Sequence, residues 1–171
     1  MKNLKTICVG LAVLFVLSLT SASALTQNSL VVLSGPELTR VAPTSFYFKG
    51  QTAPTQMRNT AAAGFGTDRF VVAGFVDTSG YAADVREKYQ GFLITDSPIT
   101  VGGSDLATGA YGFGFSNDGK FWVLDLSGKE ILSVAARSDK DLKRPRPLMM
   151  TKAADGIRLY AGRNYVVIAA K

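Results

Sequence analysis

Two kinds of apolar pattern divide this 171-residue chain. From Ile7 to Leu19 the residues are almost continuously apolar, behind a start made positive by Lys2 and Lys5 and ahead of Ala22-Ser23-Ala24. A basic start, a short apolar stretch and a small-x-small end predict a leader, residues 1–24, that signal peptidase removes. The stretch is about 13 residues long, against the roughly 20 that a spanning helix needs, so no membrane span is expected after cleavage. Residues 25–171 are then expected to form one exported domain, periplasmic or secreted.

Beyond the leader the pattern changes to short runs of β-branched and aromatic residues separated by turn chemistry. The runs predict strands at Leu30–Leu33, Thr44–Lys49, Thr55–Asn59, Arg69–Val76, Gly91–Thr95, Ile99–Val101, Ala110–Phe115, Phe121–Leu126, Glu130–Ala135, Pro147–Lys152, Ile157–Tyr160 and Asn164–Ala169. Asn117-Asp118-Gly119, Ser127-Gly128, Asp155-Gly156 and Gly162-Arg163-Asn164 supply hairpin turns between them. Regularly spaced turns between short strands predict an all-β fold, an antiparallel β-sandwich, with a calycin-like β-barrel as the alternative. One segment departs from the rhythm. Tyr81, Val85 and Tyr89 recur every four residues and Asp84 precedes Lys88 by four, which predicts one short helical insertion with an ion pair on its surface. Ser138 is expected to cap a second turn containing Asp139 and Asp141, stopped by Pro145 and Pro147. Residues 25–43 read as a disordered entry or an edge strand.

Composition removes whole classes of chemistry. The chain has no histidine, and its one cysteine, Cys8, lies in the expected leader. Ser-His-Asp and Cys-His nucleophiles, histidine- or thiolate-bound zinc and iron–sulfur clusters are therefore excluded from the mature domain. No glycine-rich phosphate loop stands at a strand-to-helix junction. The formal net charge of +6 falls to +4 once Lys2 and Lys5 leave, and the basic residues are dispersed apart from a run near Lys140–Arg146. Nucleic acid is not an expected partner, since recognition needs a clustered basic patch with stacking aromatics. No cofactor or metal is expected; Asp139-x-Asp141 offers two calcium ligands without the loop that supplies the others.

Three features remain as candidates. Asp77, Thr78, Tyr81, Tyr89 and Gln90 concentrate polar and aromatic groups on an expected loop, and with Trp122 they form the candidate ligand-binding set. Tyr111, Phe113 and Phe115 alternate with Gly112 and Gly114, giving one aromatic and one bare strand face. That strand is either a stacking platform for a ligand or a core strand whose glycines admit large neighbours. Asp77, Asp84, Glu87 and Asp96 are the carboxylates a hydrolase would draw on, if two faced each other across a pocket. Lys143-Arg144-Pro145-Arg146-Pro147 reads as a solvated turn that protects a sheet edge, or as a basic strip for an acidic partner.

The segment Leu106-x-x-Gly109-Ala110-Tyr111-x-Phe113, continuing to Phe121-Trp122-Val123-Leu124, resembles an element of secreted bacterial β-sandwich domains. With the blocks Asp77–Tyr81, Lys88–Gly91 and Gly162–Tyr165, the stretch from about Phe46 to Val167 is similar to uncharacterised exported proteins of soil bacteria, acidobacteria in particular. The resemblance implies a β-sandwich in the cell envelope and carries over no catalytic residue. The leading expectation is an exported non-catalytic binding or interaction module for a carbohydrate (glycan) or small apolar ligand. A structural or assembly protein docking on an envelope partner, and a carboxylate-dependent hydrolase, are the alternatives.

Overall fold

Phe70–Val76 has no polar residue, so both faces of this segment have to be covered. The computed structural model, which describes residues 30–66 and 69–171, covers one face with a second sheet and the other with a hairpin and two short helices. The expected leader lies outside the described residues. In chain order the elements are β1 (Leu30–Leu33), α1 (Gly35–Val41), β2 (Ser45–Phe48), β3 (Gln51–Phe65), β4 (Phe70–Val76), α2 (Ala83–Lys88) and β5 (Gly91–Thr95). Then follow β6 (Ile99–Val101), β7 (Ser104–Leu106), β8 (Gly109–Phe115), β9 (Lys120–Leu124) and β10 (Glu130–Ala135). The chain ends with β11 (Arg137–Ser138), β12 (Arg146–Ala153), β13 (Gly156–Gly162) and β14 (Asn164–Ala170).

All pairings are antiparallel and build two sheets. One has 8 strands, ordered β1-β3-β4-β5-β8-β9-β10 with β2 also on β3; the other has 6, ordered β12-β13-β14-β6-β7 with β11 also on β14. Neither sheet closes on itself, so the fold is the sandwich and not the barrel. Among the described residues no helix is long and apolar enough to cross a membrane.

The inter-sheet core takes Ala61, Ala63, Phe65, Val71, Ala73, Leu93, Phe113, Phe115, Phe121 and Val123 from the larger sheet. Leu148, Met150, Ile157, Leu159, Val166 and Ile168 face them from the smaller one. The intervening residues of the larger sheet, Ala62, Val72, Phe92 and Leu124, belong to a second core on its outer face, closed by Phe46, Phe48, Tyr81 and Tyr89. The period-two alternation of a strand thus feeds two cores instead of one core and solvent. Tyr111, half-buried, and the buried Phe113 and Phe115 face the inter-sheet core.

Gly112 and Gly114 explain how the outer layer gets so close. A Cβ on Gly112 would lie 2.6 Å from the Phe48 ring, and one on Gly114 would collide with the Lys88 carbonyl. The bare strand face therefore receives an aromatic ring and the end of α2, and the core reading of this strand holds.

The expected turns join β8 to β9, β9 to β10, β12 to β13 and β13 to β14. Thr55–Asn59, expected as strand, lies within β3, and the β3–β4 ladder shifts there, its partner moving only from Val76 to Gly74 while β3 advances from Thr55 to Thr60. Other expectations need correction. The Asp84–Lys88 ion pair does not form; the Lys88 ammonium lies 3.2 Å from Glu130 instead. Ser138 sits in β11, and the turn after it is held by Asp139, whose carboxylate accepts the Asp141 N–H at 3.1 Å and the Tyr160 hydroxyl at 3.0 Å. Residues 25–43 include the edge strand β1 but also α1, with Pro36 in its first turn, where a proline costs no hydrogen bond.

Candidate functional site

The connection between β4 and β5 passes over one end of the sandwich. Asp77 follows β4, its carboxylate accepting the Ser79 N–H at 3.0 Å, and the Tyr81 N–H then donates to the Thr78 carbonyl at 3.0 Å. This tight turn aims the chain into α2. Asp84 in the first turn of α2 and Arg86 and Lys88 in the last complement the helix dipole. Hydrogen bonds from the backbone and side chain of Ser79 hold the Asp77 carboxyl below the ordinary carboxylate range.

A cleft of about 400 Å³ opens where this connection meets the β8–β9 and β13–β14 turns. Its polar lining is Gln56, Thr78, Arg86, Gln90, Ser116, Asn117 and Asn164, and Phe75, Val76, Phe115 and Ala161 supply its apolar part. Some of these groups are already committed. Gln56 donates to the Val76 carbonyl at 3.1 Å and accepts from Asn59 at 2.8 Å. Gln90 exchanges two hydrogen bonds with the Phe115 backbone, and Ser116 bonds Lys120. Thr78, Arg86, Asn117 and Asn164 remain to meet a ligand. Arg86 makes no ion pair among the described residues, and no carboxylate lines the cleft.

Of the six residues singled out from the sequence, Thr78, Tyr89 and Gln90 line this cleft. Tyr81 and Tyr89 do not offer a stacking face. Tyr89 is fully buried, stacked on Phe48 with ring centroids 3.8 Å apart, and Tyr81 packs edge-on against it at 5.1 Å. The Tyr81 hydroxyl donates to the Phe48 and Gln51 carbonyls at 3.1 and 3.3 Å, tying the β2–β3 hairpin down. Both tyrosines, expected in the ligand-binding set, therefore close the outer core as lid residues. Trp122 lies elsewhere, half-buried on that same outer core with the Lys88 ammonium 5.4 Å from its ring centroid. Asp77 is exposed beside the cleft without lining it.

No family model matches this chain, and no curated protein or solved structure does either.

Asp77 and Asp96 stand at opposite ends of β4. Asp96 accepts the Phe70 N–H at 2.8 Å at one end of β4 and Asp77 follows Val76 at the other. Seven residues of strand put them about 20 Å apart, well beyond the separation that glycoside hydrolysis uses. Asp84 and Glu87 are exposed on α2. Among the described residues no carboxylate is buried, and no group of three or more metal-ligating side chains converges.

Sequence reasoning missed Arg86, Asn117, Asn164 and Gln56 as site residues. Each was visible only as a strand, helix or turn residue, because the strand order that brings these segments together is not written in any one of them.

Proposed function

We propose that this protein is an exported, non-catalytic binding module whose end cleft takes a small acidic saccharide, a uronate-type sugar. The observation that supports this reading is the guanidinium of Arg86, which makes no ion pair among the described residues, in a cleft whose described lining otherwise offers amides and hydroxyls and no carboxylate. A guanidinium and a carboxylate form paired, charge-assisted hydrogen bonds. Asn117, Asn164 and Thr78 supply the mixed donors and acceptors that sugar hydroxyls require. Phe75 and Phe115 give the apolar edge on which a pyranose ring rests. The cleft volume is in the lower part of the range for small-molecule sites.

Titration calorimetry with glucuronate, galacturonate and their oligomers, against glucose as the neutral control, tests this reading. Binding of the acids with weak or no binding of glucose is expected, and Arg86→Gln should remove the preference by about tenfold or more. Acid and neutral sugars binding alike, or neither binding, overturns it. Export is checked separately: the protein recovered from its host should begin at Leu25 by intact-mass measurement.

A further inference from the structure

The break in β3 has a consequence on the opposite side of the strand from the end cleft. Four residues, Gln56–Asn59, stand opposite the single partner residue Phe75, so β3 bulges away from the ladder here. The excursion is fastened from within. The Thr60 hydroxyl donates to the Gln56 carbonyl at 3.2 Å, and the Gln56 side chain ties Asn59 to the Val76 carbonyl. Met57 and Arg58 are held outward as a result, with Met57 among the most exposed large apolar side chains of the described residues.

They face the start of β12, the edge strand of the smaller sheet, where the pairing with β13 also shifts between Arg146 and Leu148. Between them runs a groove of about 300 Å³ on the open flank of the sandwich. Leu148 and Met150, both buried members of the inter-sheet core, border it, so the groove ends against that core. Leu38 and Met149 add apolar wall, and Arg58 and Arg146 stand on its rim. Both arginines are exposed, and neither is paired with a carboxylate among the described residues.

We propose that this flank groove is a second binding site, which takes a monomeric medium-chain fatty-acid carboxylate. The head meets the guanidinium forks of Arg58 and Arg146, whose planar donors match a carboxylate. The acyl chain lies along Met57, Met149 and Leu38 and continues the inter-sheet core outward. Methionines suit this role because their unbranched, polarizable side chains adapt to a flexible chain. Two rim cations without anions are complementary to an anionic amphiphile and opposed to a cationic one. A peptide strand is disfavoured as occupant, because Pro145 and Pro147 remove backbone donors where a strand would add to β12.

The test is titration of the protein, as its host produces it, with dodecanoate below its micellar concentration. One dodecanoate per chain is expected to bind. Hexanoate, with too short a tail, and dodecyltrimethylammonium, with the wrong charge, should bind at least about tenfold more weakly. Arg58→Gln combined with Arg146→Gln should weaken dodecanoate by a similar factor, as should Met57→Lys, which alters the tail path at an exposed position. Arg86→Gln should leave it unchanged, which separates this site from the end cleft. Equal binding of the cationic amphiphile, no effect of the flank variants, or loss of binding in Arg86→Gln overturns the proposal. So does capture of the protein by phosphatidylglycerol vesicles with no binding of free dodecanoate, which would make the flank a membrane-facing surface.

Discussion

The side-chain amide of Gln90 takes the place of a missing strand residue beside Phe115: its Nε2 donates to the Phe115 carbonyl at 2.9 Å and its Oε1 accepts the Phe115 N–H at 3.0 Å. β5 begins only at Gly91, opposite Phe113, so the last residue of β8 has no backbone partner on that side. The backbone of Gln90 is used as well, its N–H donating to the Phe113 carbonyl at 2.8 Å and its carbonyl accepting the Val76 N–H at 3.1 Å. Each of its hydrogen-bonding groups makes at least one bond within the fold, so as a wall of the end cleft it is fixed in place.

Gln90→Ala should therefore cost about 1–3 kcal/mol, because it leaves both backbone groups of Phe115 without partners. Gln90→Glu keeps an acceptor for the N–H but sets a carboxylate against the Phe115 carbonyl, so a comparable loss is expected at neutral pH. Urea denaturation midpoints measure both. Unchanged midpoints in the two variants would show that water from the cleft replaces the amide at no cost.

The outer layer makes a contrasting pair of glycine predictions. At Gly114 an added methyl would occupy the space of the Lys88 carbonyl, so Gly114→Ala has to push α2 away from the sheet. A loss of about 1–3 kcal/mol is expected, the usual cost of overfilling a packed site. At Gly64 the nearest atoms lie 3.6–3.7 Å from the added methyl, an ordinary contact. Gly64→Ala should be neutral or stabilising by up to about 1 kcal/mol, through the unfolded chain's lost freedom. Thermal unfolding of the two variants side by side reads the difference, and similar shifts in both would contradict the three-layer packing.

Much of the strand pattern was legible because β-branched and aromatic runs alternate with turn dipeptides of defined geometry. What escaped was governed by tertiary packing. Ala61–Gly64 is strand in spite of its poor β propensity, because Ala61 and Ala63 fit against the smaller sheet while Ala62 fits under the outer layer. The same layer explains the misreading of Tyr81 and Tyr89. A polar-aromatic loop looks like a site until something beneath it needs a lid, and here Phe48, Phe92 and Val72 do. The glycines of β8 carried a usable hint, since bare positions alternating with aromatics call for a neighbour on each face. The partial convergence of Thr78 and Gln90 on the cleft was legible from loop chemistry alone. Arg86 and Asn164 became neighbours through strand order, which local pattern does not encode.

Tyr89 also gives the fold a pH dependence of definite sign. Its hydroxyl is buried and has no hydrogen-bond partner among the described residues. Burial, with the adjacent Tyr81 adding to it, pushes the phenol's pKa far above its ordinary 10.0. The folded chain thus keeps a proton that the unfolded chain releases once the pH passes about 10, the ordinary phenol value. The stability tied to the neutral phenol is fully present below that pH and declines as pH rises above it, by up to about 1.4 kcal/mol per pH unit. Burial also raises the phenols of Tyr81, Tyr111 and Tyr160, so part of the alkaline slope belongs to them. Tyr89→Phe should be neutral or stabilising by about 1 kcal/mol near neutral pH, since it removes an unpartnered buried hydroxyl while keeping the ring stacked on Phe48. It should also flatten the decline in urea midpoint between about pH 9 and pH 11 relative to the parent protein. A marked loss of stability at neutral pH, with the alkaline slope unchanged, would mean that the hydroxyl is satisfied in solution and that the outer core is wetter than its packing indicates.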